Sequence, residues 1–338
     1  MSVGAEQVTS RPLDNLSILV SCYNKFEFIN TIFDQFKELE DLGATVIVID
    51  DGSTDGSGEE LVRMRREKNL SFYLERTENQ GAAGARSNAL DIAKTDFIYF
   101  LDIDDTCNID GLIELYSIFT SSSADLALGN FYFTETGNFG ETVTNGNSYE
   151  LLCSKDFRDR IFEIKGWWRF IYRRDFVMQR ENRLNLVFSE MIGKKFVLDD
   201  VFWMLHLASI DLSILQSPSD ITVYNYCLPE YSGKERWNSY LRQVELLPEA
   251  TILYLRDIGV HKCKHDEKWL YSTLFKTLWD HATLLSQKNY LVRSLQFLKA
   301  GQLNARKLGI KFSFLNMALF LLNPIRILKR KVRDLKPH

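Results

Sequence analysis

Phe97-Ile98-Tyr99-Phe100-Leu101-Asp102-Ile103-Asp104-Asp105 runs five apolar or aromatic residues directly into three carboxylates. An unbroken apolar run bounded by polar residues is how a strand covered on both faces of a parallel sheet reads. The acids mark its carboxyl end. Working outward, Leu16–Cys22, Ala44–Asp50 and Leu70–Glu75 read as companion strands to Asp96–Leu101, and Lys25–Leu42, Ser57–Asn69 and Ala82–Lys94 as the helices between them. This alternation predicts an α/β fold, a Rossmann-like, mostly parallel sheet flanked by helices.

Ligands of open parallel sheets bind beyond the carboxyl ends of the strands. Tyr23-Asn24, Asp50-Asp51-Gly52-Ser53 and Asp102-Ile103-Asp104-Asp105 are therefore expected to gather at one edge. Ala124–Phe133 reads as a later strand, and the Gly/Asn/Thr-rich stretch Thr134–Ser148 as a hairpin or mobile loop. From about Trp237 onward, apolar residues recur at helical spacing. The expected organisation is an N-terminal extension over 1–15, an α/β domain over 16–236 and a helical C-terminal region over 237–338.

The chain has 338 residues, 45% hydrophobic and 25% charged. That composition excludes a collagenous or largely disordered protein. Forty-one basic against 45 acidic side chains leave a formal charge of −4, so no specific nucleic-acid binding is expected. The charge is uneven: Pro324–His338 carries +5 by itself. Five scattered cysteines without a CxxC pair indicate neither a disulfide framework nor a zinc ribbon. The amino-terminal residues lack a signal-peptide pattern, and no run reaches the ~18–20 apolar residues of a membrane span, so a cytoplasmic location is expected.

Three carboxylates after a core strand are costly unless a cation or hydrogen-bond donors compensate them. Hard divalent ions take oxygen ligands, so Asp102 and Asp104 are candidates for holding one against a substrate's phosphates. The bland alternative is an Asp-rich turn capping the next helix at Asp110. Asp50-Asp51-Gly52-Ser53-Thr54-Asp55 reads in turn either as a ligand edge or as a capped strand-to-helix turn. Asn79–Asn88 joins small residues, which let a ligand approach the backbone, with Arg86, suited to phosphate.

Taken together and in this order, these islands resemble the inverting family 2 glycosyltransferases of the GT-A type fold. The resemblance is strong over about 16–130 and looser over about 165–235, and it implies a catalytic domain over 16–236 with nucleotide-sugar binding over 16–130 and the acceptor side over 131–236. The family's opening proline-x-Tyr-Asn is present as Ser21-Cys22-Tyr23-Asn24, with Ser21 in place of proline. The resemblance implies a nucleotide-sugar donor, a UDP-sugar by preference, held by Ser21, Tyr23, Asn24, Asp51, Ser53, Arg86, Asp102 and Ile103. Asp51 would accept a hydrogen bond from the base, and Asp102 and Asp104 would form the DxD pair that holds Mn²⁺ or Mg²⁺. Ser87 stands where the family usually has Asn.

An inverting transfer also needs a base to take the acceptor hydroxyl's proton. Asp199-Asp200, inside the apolar stretch Phe196–Trp203, resembles the family's acidic pair, usually Glu-Asp, and makes Asp200 the expected base. On the residues alone, the two acids serve equally as the cap and first turn of a helix. Trp167 and Trp168 offer flat rings for a sugar face or simple core packing. Ser232 and Lys234 fall in a segment resembling the loop that closes over the donor. His261 and His265, at i,i+4 spacing, read as a solvated helical face.

Phe312–Leu322 is apolar at nine of eleven positions and precedes the basic cluster. At ~1.5 Å per residue it reaches about half of a ~30 Å hydrocarbon core. Residues 312–338 are thus expected either to lie on an anionic membrane surface or to dock on the protein. The expected function is metal-dependent transfer of a sugar to a glycan or lipid-linked acceptor in surface-polysaccharide or cell-envelope synthesis. The alternatives are a non-catalytic nucleotide-sugar-binding or scaffold subunit and, more distantly, a nucleotidyltransferase.

Overall fold

A computed structural model of the chain describes residues 11–135, 138–139, 149–160, 164, 166–179, 203–204, 206–208 and 210–224. Strand β1 (Leu16–Cys22) lies between β2 (Thr45–Asp50) and β4 (Phe97–Asp102), parallel to both. Its register sets Ser21 beside Ile49 on one side and Asp102 on the other. All three strands therefore end at one level, and β3 (Tyr73–Arg76) adds a parallel edge beside β2.

Apolar side chains drive this arrangement. Helix α1 (Phe26–Asp41) buries Phe28, Ile29, Ile32, Phe33, Phe36 and Leu39, one face at 3.6-residue spacing. Phe33, Phe36 and Phe72 meet with ring centroids 5.5–5.8 Å apart. Complete burial of each such ring contributes about 1.5–3 kcal/mol. Helices α2 (Ser57–Glu67) and α3 (Ala82–Ile92) complete the crossovers, and α3 approaches β1 and β2 through the small residues Ala83, Gly84, Ala85 and Ala89.

The third strand starts later than the apolar run from Leu70 predicts. Asn69 takes a left-handed conformation (φ 53°), Leu70 N–H donates to Arg65 O, and Ser71 N–H donates to the Glu40 carboxylate. The chain is still turning there, and Phe72 is drawn into the aromatic cluster. Pairing with β2 begins at Tyr73.

Beyond β4 come β5 (Thr106–Cys107), α4 (Ile109–Thr120), β6 (Leu126–Glu135), β7 (Asn138–Phe139), β8 (Glu150–Cys153) and α5 (Ser154–Arg160). They are followed by β9 (Phe170–Arg173), α6 (Arg174–Met178) and β10 (Ser213–Tyr224). Among the described residues the sheet runs β3-β2-β1-β4-β9-β6-β10-β5, with β7 on β6 and β8 on β10. The antiparallel β6–β7 pairing, Thr134 with Phe139 and Glu135 with Asn138, matches the hairpin reading of that stretch.

Strand β9 was not anticipated. It inserts antiparallel to both β4 and β6, with Phe170, Ile171 and Tyr172 buried. Four residues carry too short a pattern to announce a strand; burial on both faces decides it. The sheet is consequently mixed, Rossmann-like on one side and antiparallel at this insertion.

Cys22 and Cys107 are buried free thiols and Cys153 is an exposed one. Burial, with Asp50 nearby, pushes the Cys22 thiol up to about 12, so it stays protonated. No helix among the described residues is long and apolar enough to cross a membrane. The chain divides into two compact units, Met1–Ser232 and Gly233–His338. The second, with His261, His265 and the tail 312–338, lies outside the described residues.

Candidate active site

The carboxyl ends of β1, β2 and β4 carry the clustered polar residues, as the sheet geometry requires. Asn24, left-handed at φ 51°, clips two of these ends together. Its backbone N–H donates to Ser53 Oγ at 2.9 Å, and its side-chain oxygen accepts from Thr54 N–H at 2.8 Å. Tyr23 next to it is 43% exposed and open to a ligand.

After β2, Asp50 Oδ1 accepts from Ser53 N–H at 3.0 Å while Arg76 Nε lies 3.3 Å from Oδ2. Gly52 turns the chain at φ 73°, where a Cβ would stand 2.9 Å from Asn79 N. Asp51 is buried, and its two carboxylate oxygens accept from Gln80 N–H and Gly81 N–H, each at 2.8 Å. Burial pushes the Asp51 carboxyl up, and these two N–H groups only partly oppose it. Asp51 therefore orders the 79–81 loop that leads into α3, the helix carrying Arg86. Asp55, one residue before the Gly56 N-cap of α2, accepts from Ser57 N–H at Oδ1 (2.9 Å) and from Phe26 N–H at Oδ2 (3.1 Å), joining the starts of α2 and α1. Burial raises the Asp55 carboxyl, but the Ser57 and Phe26 hydrogen bonds outweigh it and hold the group below the usual range.

At the end of β4, Asp102 Oδ1 accepts from Arg86 Nη2 at 2.8 Å and from Ser21 Oγ at 3.2 Å. Ser21, which replaces a proline in the pattern noted above, thus gains a direct hydrogen bond to the acid. Ile103 points into the core, which separates Asp102 from Asp104. Asp104 Oδ2 receives the Lys25 ammonium at 2.5 Å. Lys25 escaped the sequence reading, although its place directly after Tyr23-Asn24 at the start of α1 was a usable signal.

Neither acid of this pair caps the following helix. Asn108 is the N-cap of α4, its side chain accepting from Gly111 N–H, and β5 intervenes. Asp102 and Asp104 remain 25% and 29% exposed, within reach of a ligand. Their hard oxygens suit Mg²⁺ or Mn²⁺, and the ammonium on Asp104 shows that this carboxylate stabilises a cation. Among the described residues no group of three or more His, Cys, Asp or Glu side chains could hold a metal. Two carboxylates match the habit of Mg²⁺, which completes its shell with phosphate oxygens and water.

Trp167 and Trp168 open a 3₁₀ turn, Trp167–Arg169, just before β9. The Trp168 ring meets Phe131 edge to face at 4.8 Å and lies over Gly166, while its carbonyl accepts from Thr222 Oγ1 at 3.2 Å. Arg169 is fully buried against the same ring, its Cζ 4.8 Å from the Phe131 centroid, and donates from Nε to Gly129 O at 3.1 Å. Burial pulls the Arg169 guanidinium down to about 9. The antiparallel entry of β9 brings this turn to the same end of the sheet as Asp102. Asp199, Asp200, Ser232 and Lys234 lie outside the described residues.

A family model described as Glycosyl transferase family 2 matches residues 17–202, more than half of the chain. The chain belongs to glycosyl transferase family 2. Its sheet and flanking helices are the GT-A type arrangement of glycosyltransferases. Glycosyltransferase GlyA of Streptococcus pneumoniae serotype 4 is 29% identical over 285 residues, which cover 82% of this chain and 35% of GlyA. The poly(ribitol-phosphate) beta-glucosyltransferase of Bacillus spizizenii is 33% identical over 119 residues, 34% of this chain and 18% of that enzyme. The chain thus matches about a third or less of the length of these two relatives. In fold, S. aureus TarS 1-349 in complex with UDP-GlcNAc superposes with a TM-score of 0.59 at 17% identity, covering 84% of this chain and 81% of that one.

Proposed function

We propose that this family 2 glycosyltransferase moves a sugar, with inversion, from a nucleotide donor to a hydroxyl of a glycan or lipid-linked acceptor. A UDP-sugar is the favoured donor, and surface-polysaccharide or cell-envelope synthesis the favoured setting. The observation that carries the reading is the convergence of Asp51, Arg86, Asp102 and Asp104 from three chain segments on one sheet edge. The names of the relatives and the UDP-GlcNAc complex of TarS support the donor class and the setting.

In this reading Tyr23 and the Asp51-ordered loop receive the base, and Arg86 orients Asp102 toward the ribose and diphosphate. Asp102 and Asp104 would hold Mn²⁺ or Mg²⁺, which offsets the negative charge that develops on the departing diphosphate. Asp200 takes the acceptor hydroxyl's proton as that oxygen attacks the anomeric carbon. The bond from the anomeric carbon to the phosphate oxygen breaks as the new glycosidic bond forms, and the nucleoside diphosphate leaves. Trp167, Trp168, Asp199, Ser232 and Lys234 belong to the acceptor side and the closing loop.

We extend the proposal to the chain's organisation: a catalytic part over 16–236, and a helical part over 237–338 whose basic end rests on an anionic membrane surface. The test is a panel of nucleotide sugars incubated with the protein and Mn²⁺ or Mg²⁺, following nucleoside diphosphate release. One donor giving release that EDTA abolishes supports the reading. Donor binding with no release toward water or any hydroxyl acceptor would instead favour a scaffold.

A further inference from the structure

Each acid of the Asp102-Ile103-Asp104 run already carries a cation supplied by the chain. Arg86 sits on Asp102 at 2.8 Å and Lys25 on Asp104 at 2.5 Å. The two pairs are built differently. Arg86 is 8% exposed and projects from the middle of α3, its planar head enclosed. Lys25 occupies the N-cap position of α1, where its backbone N–H donates to Ser57 Oγ at 2.9 Å. Its backbone is thus tied down, but its head ends a flexible four-carbon stem, 18% exposed and 5.3 Å from the Phe28 ring centroid. One cation is a rigid planar head enclosed by the fold, and the other is a compact head at the end of a long stem.

We infer that Lys25 is the resident counter-cation of Asp104: its ammonium neutralises the carboxylate in the nucleotide-free protein, competes there with a divalent ion, and passes to the diphosphate of an incoming donor. This rests on the reading of Asp102 and Asp104 as the acids that hold a metal. Two cations on one carboxylate repel each other, so an ion takes Asp104 more readily when Lys25 has another anion to meet. A nucleoside diphosphate supplies that anion, and charge-assisted hydrogen bonds from an ammonium to phosphate oxygens are strong. Binding of ion and nucleotide is then coupled, and the coupling is reciprocal. The device keeps the acids from loading a stray ion before a donor arrives.

Two equilibrium measurements on the full chain test this, neither of them an activity. Mn²⁺ affinity is measured without nucleotide by electron paramagnetic resonance of the free ion, and UDP affinity without metal by calorimetry. Lys25→Met is expected to bind Mn²⁺ about tenfold more tightly and UDP about tenfold more weakly than the unchanged protein. Lys25→Gln, which keeps a polar head, is expected to do the same and stands in should the Met variant not fold. Lys25→Arg keeps both affinities close to their starting values. Asp104→Asn tests the underlying reading and is expected to abolish Mn²⁺ binding. Unchanged Mn²⁺ affinity in the neutral Lys25 variants, with loss in Asp104→Asn, overturns the role of Lys25 and leaves the metal reading standing. Unchanged UDP affinity in those variants overturns the transfer to diphosphate. Unchanged Mn²⁺ affinity in Asp104→Asn overturns both the metal reading and the inference built on it.

Discussion

Arg86, in the middle of α3, reaches the end of β4 and places its guanidinium 2.8 Å from Asp102 Oδ1, on the oxygen that also receives Ser21 Oγ. Helix, first strand and fourth strand are thereby joined at one acid. Arg86→Met leaves Asp102 without its guanidinium and removes the cation from the donor side. The expected result is a loss of about 1–3 kcal/mol in denaturant unfolding and at least ~10-fold weaker UDP binding. Stability loss with unchanged UDP affinity would reduce Arg86 to a structural brace.

Asp200 is proposed as the base, so its charge is needed for transfer and not for holding the donor. Asp200→Asn is expected to leave UDP affinity within about twofold and to lower kcat by on the order of 10²–10⁴. Calorimetry for the first and a nucleotide-release assay for the second separate the two effects. Near-normal turnover in a folded variant would move the base elsewhere.

Gly58 lies in the first turn of α2, where a Cβ would stand 2.3 Å from Asp50 Oδ2 and 3.4 Å from Arg76 Cζ. Asp50 is fully buried and held through Ser53 N–H, so it cannot step aside without disturbing the 50–53 turn. Gly58→Ala is expected to destabilise by about 1–3 kcal/mol despite a higher helix propensity. Urea unfolding measures this; a stabilised variant would show that the turn is pliant.

Asp55 is held below its ordinary value of 3.8. A carboxyl depressed in the folded state contributes stability above its unfolded pKa, and that contribution is lost as pH falls through the folded one. Asp55→Asn is therefore expected to melt below the unchanged protein at pH 7, with the gap closing as pH drops from about 4 through the folded pKa. Thermal melts across that range read the sign directly, and a gap that stays constant with pH rules out an ionic contribution.

Much of this protein follows from local pattern. Apolar runs ending in polar residues located β1, β2 and β4, helical spacing located α1 to α3, and parallel-sheet geometry then required Asn24, Asp51 and Asp102 to share an edge. These signals survive in one dimension because each element's burial is periodic along the chain. The division of labour among the acids did not survive in the same way. Asp50, Asp51 and Asp55 look alike in sequence, yet one anchors a turn, one orders the 79–81 loop and one joins the starts of α1 and α2, because each faces different N–H groups in space. The start of β3 at Tyr73 was set by Asn69 and by the pull of Phe72 into an aromatic cluster. The insertion of β9 between β4 and β6 was decided by burial on both faces, which four residues cannot announce. The contact of Lys25 with Asp104 spans 79 positions. Sequence determined which residues reach the edge; packing across that edge decided which charge each of them meets.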